Sequence, residues 1–190
     1  MQNKGNNSPV GSNVPGIGVR VLALVAILWG LAPGAQAADN LRMHGALVAE
    51  PCVIPPGEEN LALDFGTVID KYLYLNKRTH GQRFALHLAE CDLSLGSAVR
   101  ITFKGTESVT LPGLLAISPD SHAFGIAIGM ETVNGKPLPL NKAGAKLPLR
   151  SGSNQLEFKG YVQGEGWALA NKLVQRGPFN AVATFSLEYE

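Results

Sequence analysis

The last eleven residues of the sequence, 180–190, constrain the fold more than any other stretch. From residue 181 onward, polar side chains alternate with apolar and aromatic ones, and one face carries Ala181, Ala183, Phe185, Leu187 and Tyr189. This period-two alternation predicts a half-buried β-strand. A strand that ends with the sequence leaves its outer edge without a partner unless another strand covers it. What covers that edge is therefore the central structural question.

The first 37 residues are interpreted as a secretory signal peptide. An apolar run over residues 21–31 follows a leader that contains Lys4 and Arg20 but no acidic residue, and residues 35–37 (Ala-Gln-Ala) form a small-x-small cleavage site. A single membrane anchor is the alternative, but an anchor needs about 20 apolar residues. Cleavage after residue 37 leaves 190 − 37 = 153 residues, which is enough for one domain.

The mature chain carries no signature of nucleic-acid binding or of catalysis. Removing two basic residues with the signal peptide leaves 16 − 2 = 14 basic residues against 15 acidic ones, without a basic block. This balance argues against nucleic acid as a partner. No hydrolase, nucleotide-binding, zinc-protease or calcium-loop motif occurs, and the histidines are scattered. We therefore expect neither an enzyme nor a cofactor or metal site.

Cys52 and Cys91 are the only cysteines in the sequence. In an exported protein, an isolated pair favours one structural disulfide. Closing a segment of 91 − 52 = 39 residues stabilises a chain by up to about 4 kcal/mol in the loop-entropy model. A redox or metal-binding pair is the alternative, but it needs CxxC-like spacing or nearby histidine ligands, which this pair lacks.

Short apolar alternations between turns recur along the mature chain. They predict strands near residues 61–65, 82–91, 99–103, 124–130 and 156–162, with a loop or edge strand at 71–81 and a loop at 167–176. Asn134-Gly135 predicts a hairpin turn. Short strands without a convincing long helix are typical of a single antiparallel β-sandwich.

An alternating apolar arm precedes the first cysteine, with Leu41, Met43, Gly45 and Leu47 on one side. Glycine inside a strand often marks the close approach of another backbone. A free arm and an unpaired edge are the two parts needed for head-to-tail strand addition, which yields fibres because such contacts do not close. Burying the three larger side chains contributes about 5–9 kcal/mol, comparable with the stability of a whole domain. A subunit without a donor strand is therefore expected to need another protein that stabilises it until assembly.

The mature chain resembles the pilin subunits of chaperone–usher fimbriae over essentially its whole length. The resemblance is carried by the arm LRMHGALVAEPC, the run FALHLAEC ending at Cys91, the run GIAI from Gly125, Gly177 as the fourteenth residue from the end, and the penultimate Tyr189. The stretch ITFKGTE with the following LPG resembles the tip adaptor subunit of P-type pili.

This resemblance implies an all-β fold, namely an incomplete immunoglobulin-like antiparallel β-sandwich that lacks its last strand and has an N-terminal donor-strand extension. The expected boundaries are residues 1–37 for the signal peptide, 38–49 for the extension and 50–190 for the pilin domain. Cys52 and Cys91 match the disulfide of the family.

The resemblance also implies partners and the roles of individual residues. A periplasmic chaperone lends the missing strand, and at the outer-membrane usher the arm of a neighbouring pilin subunit replaces it. The donor residues of this chain are then Leu41, Met43, Gly45 and Leu47. The acceptor groove and chaperone-binding surface comprise Gly177, Phe185, Leu187, Tyr189 and Glu190, with the terminal carboxylate of Glu190 as an anchor.

The implied function is that of a minor structural subunit, a tip adaptor that joins the tip adhesin to a fimbrium on the cell surface after secretion through the periplasm. Within the family, the alternative is a terminating subunit that has a blocked groove and anchors the fibre base. From another class, the alternative is a self-contained secreted sandwich that binds carbohydrate and uses the arm as its own last strand.

Overall fold

Two antiparallel sheets form the framework of the computed structural model, which describes residues 43–190. In chain order, the strands are β1 (Gln82–Cys91), β2 (Ala98–Lys104), β3 (Leu115–Ala116), β4 (Ile126–Thr132), β5 (Leu147–Pro148), β6 (Gly152–Gly164) and β7 (Thr184–Tyr189). One sheet has the order β1-β6-β4-β3 and the other the order β5-β2-β7. The expected signal peptide lies outside the described residues.

The core lies between the two sheets, because alternate side chains of each strand point inward. In β1 these are Leu86 and Leu88, and in β2 they are Val99 and Ile101, all of them buried. Phe103 packs edge-to-face on Phe158 of β6, with ring centroids 5.5 Å apart. The predicted antiparallel β-sandwich is confirmed.

A disulfide joins Cys52 to Cys91 at the end of β1, as predicted. The segment that carries Cys52 runs beside β1, where Val53 and Ala89 exchange backbone N–H···O bonds of 2.9 and 2.8 Å. The disulfide therefore ties the start of the described domain to the edge of the four-stranded sheet.

The loop or edge strand expected at residues 71–81 was wrong, because Asp70–Asn76 forms the helix α1. Its one buried residue, Leu73, packs in a cluster with Ala123, Ile126 and Val162. Lys77 ends the helix with φ 68° and donates its N–H to the carbonyl of Leu73. Seven residues with a single buried position give too little periodicity to identify a helix from sequence.

The prediction of a loop at residues 167–176 was wrong for its first four residues, which belong to a helix. The helix α2 (Gly166–Ala170) occupies five residues, of which only Ala168 is buried. The remainder of this segment is irregular apart from a bridge between Gln175 and Phe124. Within residues 43–190, neither helix has the length and hydropathy that a membrane crossing requires.

Candidate functional site

A long groove opens into the core beside β7. Its larger part has a volume of about 640 Å³ and is lined by residues 59–65 on one side and 181–185 on the other. A second part of about 500 Å³ continues it between residues 63–68 and 177–179. We name residues 59–68 the first wall of the groove and residues 177–185 the second wall. The floor is formed by side chains of the core, namely Phe84, Phe103, Leu115, Ile128 and Met130.

The backbone of β7 has an unpaired edge on the side of the groove. Ala98 of β2 and Glu190 exchange both of their N–H···O bonds, at 2.9 and 3.1 Å. Because hydrogen-bonded and non-hydrogen-bonded pairs alternate in an antiparallel ladder, the N–H and C=O groups of Phe185, Leu187 and Tyr189 point away from β2. Among the described strands, none pairs with β7 on that side.

The first wall was predicted to contain a strand around residues 61–65, and that prediction was wrong. Leu63 and Phe65 do point inward, as the alternation indicates. Among residues 43–190, however, no backbone–backbone hydrogen bond is formed by residues 60–65. The alternation of apolar residues is present, but without a neighbouring strand it makes no ladder.

The absence of a side chain at Gly160 of β6 leaves space for the side chains of the first wall. A Cβ atom at this position would lie 2.5 Å from Cδ2 of Leu63 and 3.4 Å from Cζ of Phe65. Phe65 also meets Phe179 of the second wall, with ring centroids 6.2 Å apart. Side-chain packing, rather than backbone hydrogen bonding, therefore holds the first wall on the sandwich.

Gly177 begins the second wall, in the position assigned to it from sequence. Its φ is +152°, and a Cβ atom here would lie 2.7 Å from Cβ of His122. Next to it, the carbonyl of Pro178 accepts N–H bonds from His122 and Ala123 at 2.9 and 3.2 Å. A side chain at residue 177 would push the second wall away from this backbone.

The side chains of Phe185, Leu187 and Tyr189 all point toward the core and are half-buried. Of the three, Phe185 lines the larger part of the groove, whereas Leu187 and Tyr189 line neither part. Burial raises the pKa of the Tyr189 hydroxyl, and the nearby carboxylate of Glu50 raises it further. Three of the predicted groove residues therefore share one face of one strand.

Glu190 is held by its own chain. Its backbone carbonyl oxygen accepts N–H bonds from Ser97 and Ala98 at 2.8 and 3.1 Å. Its side-chain carboxylate lies 2.7 Å from Nζ of Lys146 and 2.5 Å from Nε of Arg100. Hydrogen bonds from Lys146 and Arg100 lower the pKa of this carboxyl group.

Only part of the predicted donor arm lies within the described residues. Leu41 lies outside the described residues. Met43 and Leu47 are 82% and 104% exposed, respectively, and residues 43–50 form no strand. Gly45 has no atom within 4 Å of a Cβ built on it. Their role as donors remains a prediction.

Sequence reasoning missed the first wall as a groove element, Gly160 beneath it, and the ion pairs of Arg100 and Lys146 with Glu190. The alternation at residues 61–65 was visible, but nothing in it distinguishes a paired strand from an unpaired wall. Within the described part, no group of three His, Cys, Asp or Glu side chains is placed to hold a metal ion.

Comparison with known proteins shows similarity to fimbrial proteins over most of the chain. The profile of the family described as "Fimbrial protein" matches residues 41–190. The Fimbria A protein of Serratia marcescens is 30% identical over 175 residues, which cover 90% of this chain and 98% of that protein. The fimbrial adapter PapK of Escherichia coli is 30% identical over 165 residues, which cover 84% of this chain and 92% of PapK.

Solved structures agree with the fold. The crystal structure of the P pilus rod subunit PapA superimposes with a TM-score of 0.64 at 23% identity, covering 74% of this chain and all of that one. At this identity the likeness supports the fold alone, which is an immunoglobulin-like sandwich that lacks its last strand.

Proposed function

Because the chain belongs to the fimbrial protein family, we propose that this fimbrial subunit polymerises by donor-strand exchange in a chaperone–usher pilus. The proposal has two halves: an acceptor site on this chain and a donor arm for a neighbour. Each half is supported by different residues.

The unpaired edge of β7 beside an exposed core is the observation that carries the acceptor half. The backbone donors and acceptors of Phe185, Leu187 and Tyr189 face away from β2, and those of Phe185 lie where β7 lines the groove. An incoming extended strand can satisfy these groups and cover the apolar floor at the same time. Buried polar groups and apolar surface are both costly while uncovered, so the groove favours a strand with alternating apolar residues.

The arm supports the donor half. Met43 and Leu47 are almost fully exposed, and with Leu41 and Gly45 they repeat every second residue. This spacing matches the spacing of side chains on one face of a strand. The arm of one copy therefore has the pattern that the groove of a neighbouring subunit requires.

This mechanism requires two further partners, a periplasmic chaperone and an outer-membrane usher. The assembled subunit is then part of a fimbrium on the cell surface. Phe84, Phe103 and Met130 line the floor of the groove, and a chaperone that lends a strand covers this floor before assembly. Glu190 is the proposed anchor of the chaperone contact.

Within the pilus, we assign the chain the role of an adaptor at the tip. The support is its likeness to the adapter PapK over 84% of the chain. The terminator alternative requires a blocked groove, whereas this groove is an open cleft of about 640 Å³.

The test compares the mature chain with a variant that lacks residues 38–47. Native mass spectrometry should detect oligomers of the intact chain that lengthen with concentration. The variant should form none alone but should shorten the oligomers of the intact chain, because it accepts a strand and donates none. A carbohydrate-binding, self-contained sandwich predicts the opposite: a cooperatively melting monomer that unfolds when residues 38–47 are removed.

A further inference from the structure

We propose that the ion pair between Asp70 and Arg176 marks one end of the groove and fixes how far an inserted strand reaches. This inference rests on the proposed function, since it concerns the register of the donor strand in the groove. It assigns Asp70 and Arg176 as positioning residues outside the apolar lining.

The ion pair is well formed. Nε and Nη2 of Arg176 both donate to Oδ2 of Asp70, at 2.9 and 2.7 Å. The other carboxylate oxygen, Oδ1, accepts the backbone N–H of Lys71 at 2.8 Å. The Asp70 side chain is 16% exposed and the Arg176 side chain 79% exposed, so these hydrogen bonds, rather than burial of the arginine, hold the pair together.

The location of the pair relates it to both walls. Val68 is the last residue of the first wall that lines the groove, and Gly177 is the first of the second wall. Asp70 follows the first wall and Arg176 directly precedes the second. The pair therefore joins the two walls across a sequence separation of 106 residues, where both leave the groove.

Beyond the pair, both walls change structure. The first wall turns into α1 at Asp70, where backbone groups bond within the helix. The chain before Arg176 bonds to Phe124 through Gln175, whose N–H donates at 3.0 Å and whose carbonyl accepts at 3.2 Å. The lining of the groove stops at Val68 and Gly177, next to the pair, and this is where we place the end of an inserted strand.

Register can change only in steps of two residues if the same side chains are to face the core. When the ion pair fixes the end of the groove, the inserted strand can adopt only one register. When the pair is broken, the end of the groove can widen and a second register, shifted by about two residues, becomes accessible.

The experiment maps register by photo-crosslinking. A synthetic peptide with the sequence of residues 38–49 carries a benzoylphenylalanine at one terminus or the other and is refolded in excess with the mature chain. Mass spectrometry then locates the attachment sites. In the wild type, one of the two labels should attach near residues 66–70 or 176–179, at a single register.

Arg176→Met should move part of this attachment by about two residues toward α1. Arg176→Lys, which retains the charge, should keep the single register. The matched control is Arg83→Met, which removes an arginine from an exposed pair with Glu157 on β1 and β6, at 3.4 Å. A loss of stability alone does not shift register, so this readout separates positioning from folding.

The outcomes are distinct. If the peptide attaches in the groove and Arg176→Met leaves its register unchanged, the end-stop role is overturned and the proposed function stands. If the peptide never attaches to residues 181–185, both the end-stop role and the acceptor groove are overturned.

Discussion

Nε of Arg100 lies 2.5 Å from Oε1 of Glu190, which holds the last side chain of the sequence diagonally across the ladder between β2 and β7. Lys146 contacts the other carboxylate oxygen at 2.7 Å. The carboxylate thus fastens the end of β7 to its own sheet, beside the edge that the groove leaves unpaired.

Protonation of the Glu190 carboxylate at low pH should weaken its ion pairs with Arg100 and Lys146. The hydrogen bonds from Lys146 and Arg100 lower the pKa of Glu190 in the folded state, so their contribution to stability is present above the unfolded pKa and is lost as pH falls through the folded pKa. Thermal melts, like the other denaturation measurements below, use the chain complemented by a peptide of residues 38–49. Between pH 7 and pH 3 they should therefore show a smaller acid-induced loss for Glu190→Gln than for the wild type. Glu188→Gln, on the same strand, is the control. Parallel pH profiles for wild type and Glu190→Gln would contradict this role.

Removing the disulfide should destabilise the chain. We expect Cys52→Ala with Cys91→Ala to lower the free energy of unfolding by up to about 4 kcal/mol in the loop-entropy model, and periplasmic yield should fall. Alanine is preferred to serine because both positions are buried. Urea denaturation of the variant should match that of the reduced wild type. Equal midpoints for oxidised and reduced wild type would show that the crosslink contributes nothing.

Gly177→Ala should be more harmful than an ordinary glycine substitution. The added Cβ would lie 2.7 Å from Cβ of His122, and φ is +152°, a combination that costs about 1–3 kcal/mol. The control is Gly166→Ala, because no atom lies within 4 Å of its added Cβ. Urea denaturation should separate the two variants. Similar midpoints would mean that the second wall can shift away from His122 without cost.

Residue patterns predicted the parts of this fold that depend on period-two alternation. β1 coincides with the predicted residues 82–91, and the hairpin at Asn134-Gly135 is present, with the N–H of Gly135 bonded to the carbonyl of Thr132. These features are local, because the buried face of a strand and the type of a turn are determined by residues close together in sequence.

The remaining features depend on residues far apart in sequence. The Asp70–Arg176 pair joins positions separated by 106 residues and the Arg100–Glu190 pair joins positions separated by 90, and neither is signalled by spacing. Residues 61–65 alternate like a strand yet form no ladder, because pairing depends on whether a neighbouring strand is present. Local pattern therefore indicated a groove residue such as Phe185 but not the wall that faces it.

The chaperone contact should depend on the inward face of β7. We expect Phe185→Ala with Tyr189→Ala to abolish co-purification with the chaperone, because both side chains pack on the core and Phe185 also lines the groove. The matched control is Glu188→Ala, whose side chain is exposed on the same strand. Circular dichroism should establish that both variants retain their strands. A retained chaperone complex in the double variant would contradict the groove assignment.

A partly buried ion pair on the four-stranded sheet provides the last prediction. Glu131 is 2% exposed, and its Oε2 lies 2.9 Å from Nη1 of Arg78, whose guanidinium stacks 4.0 Å over the ring of Tyr161. Lys159 is more distant, at 3.9 Å. Arg78→Met leaves the buried carboxylate without its main partner, which costs less than the roughly 3–5 kcal/mol of a fully buried pair, because Arg78 is 40% exposed and Lys159 remains nearby. Adding Glu131→Gln removes the uncompensated charge, so the double variant should be more stable than the sum of the single effects predicts. Urea denaturation of the four proteins completes this double-mutant cycle, and strict additivity would show that Arg78 stabilises the sheet through its stacking on Tyr161 and not through Glu131.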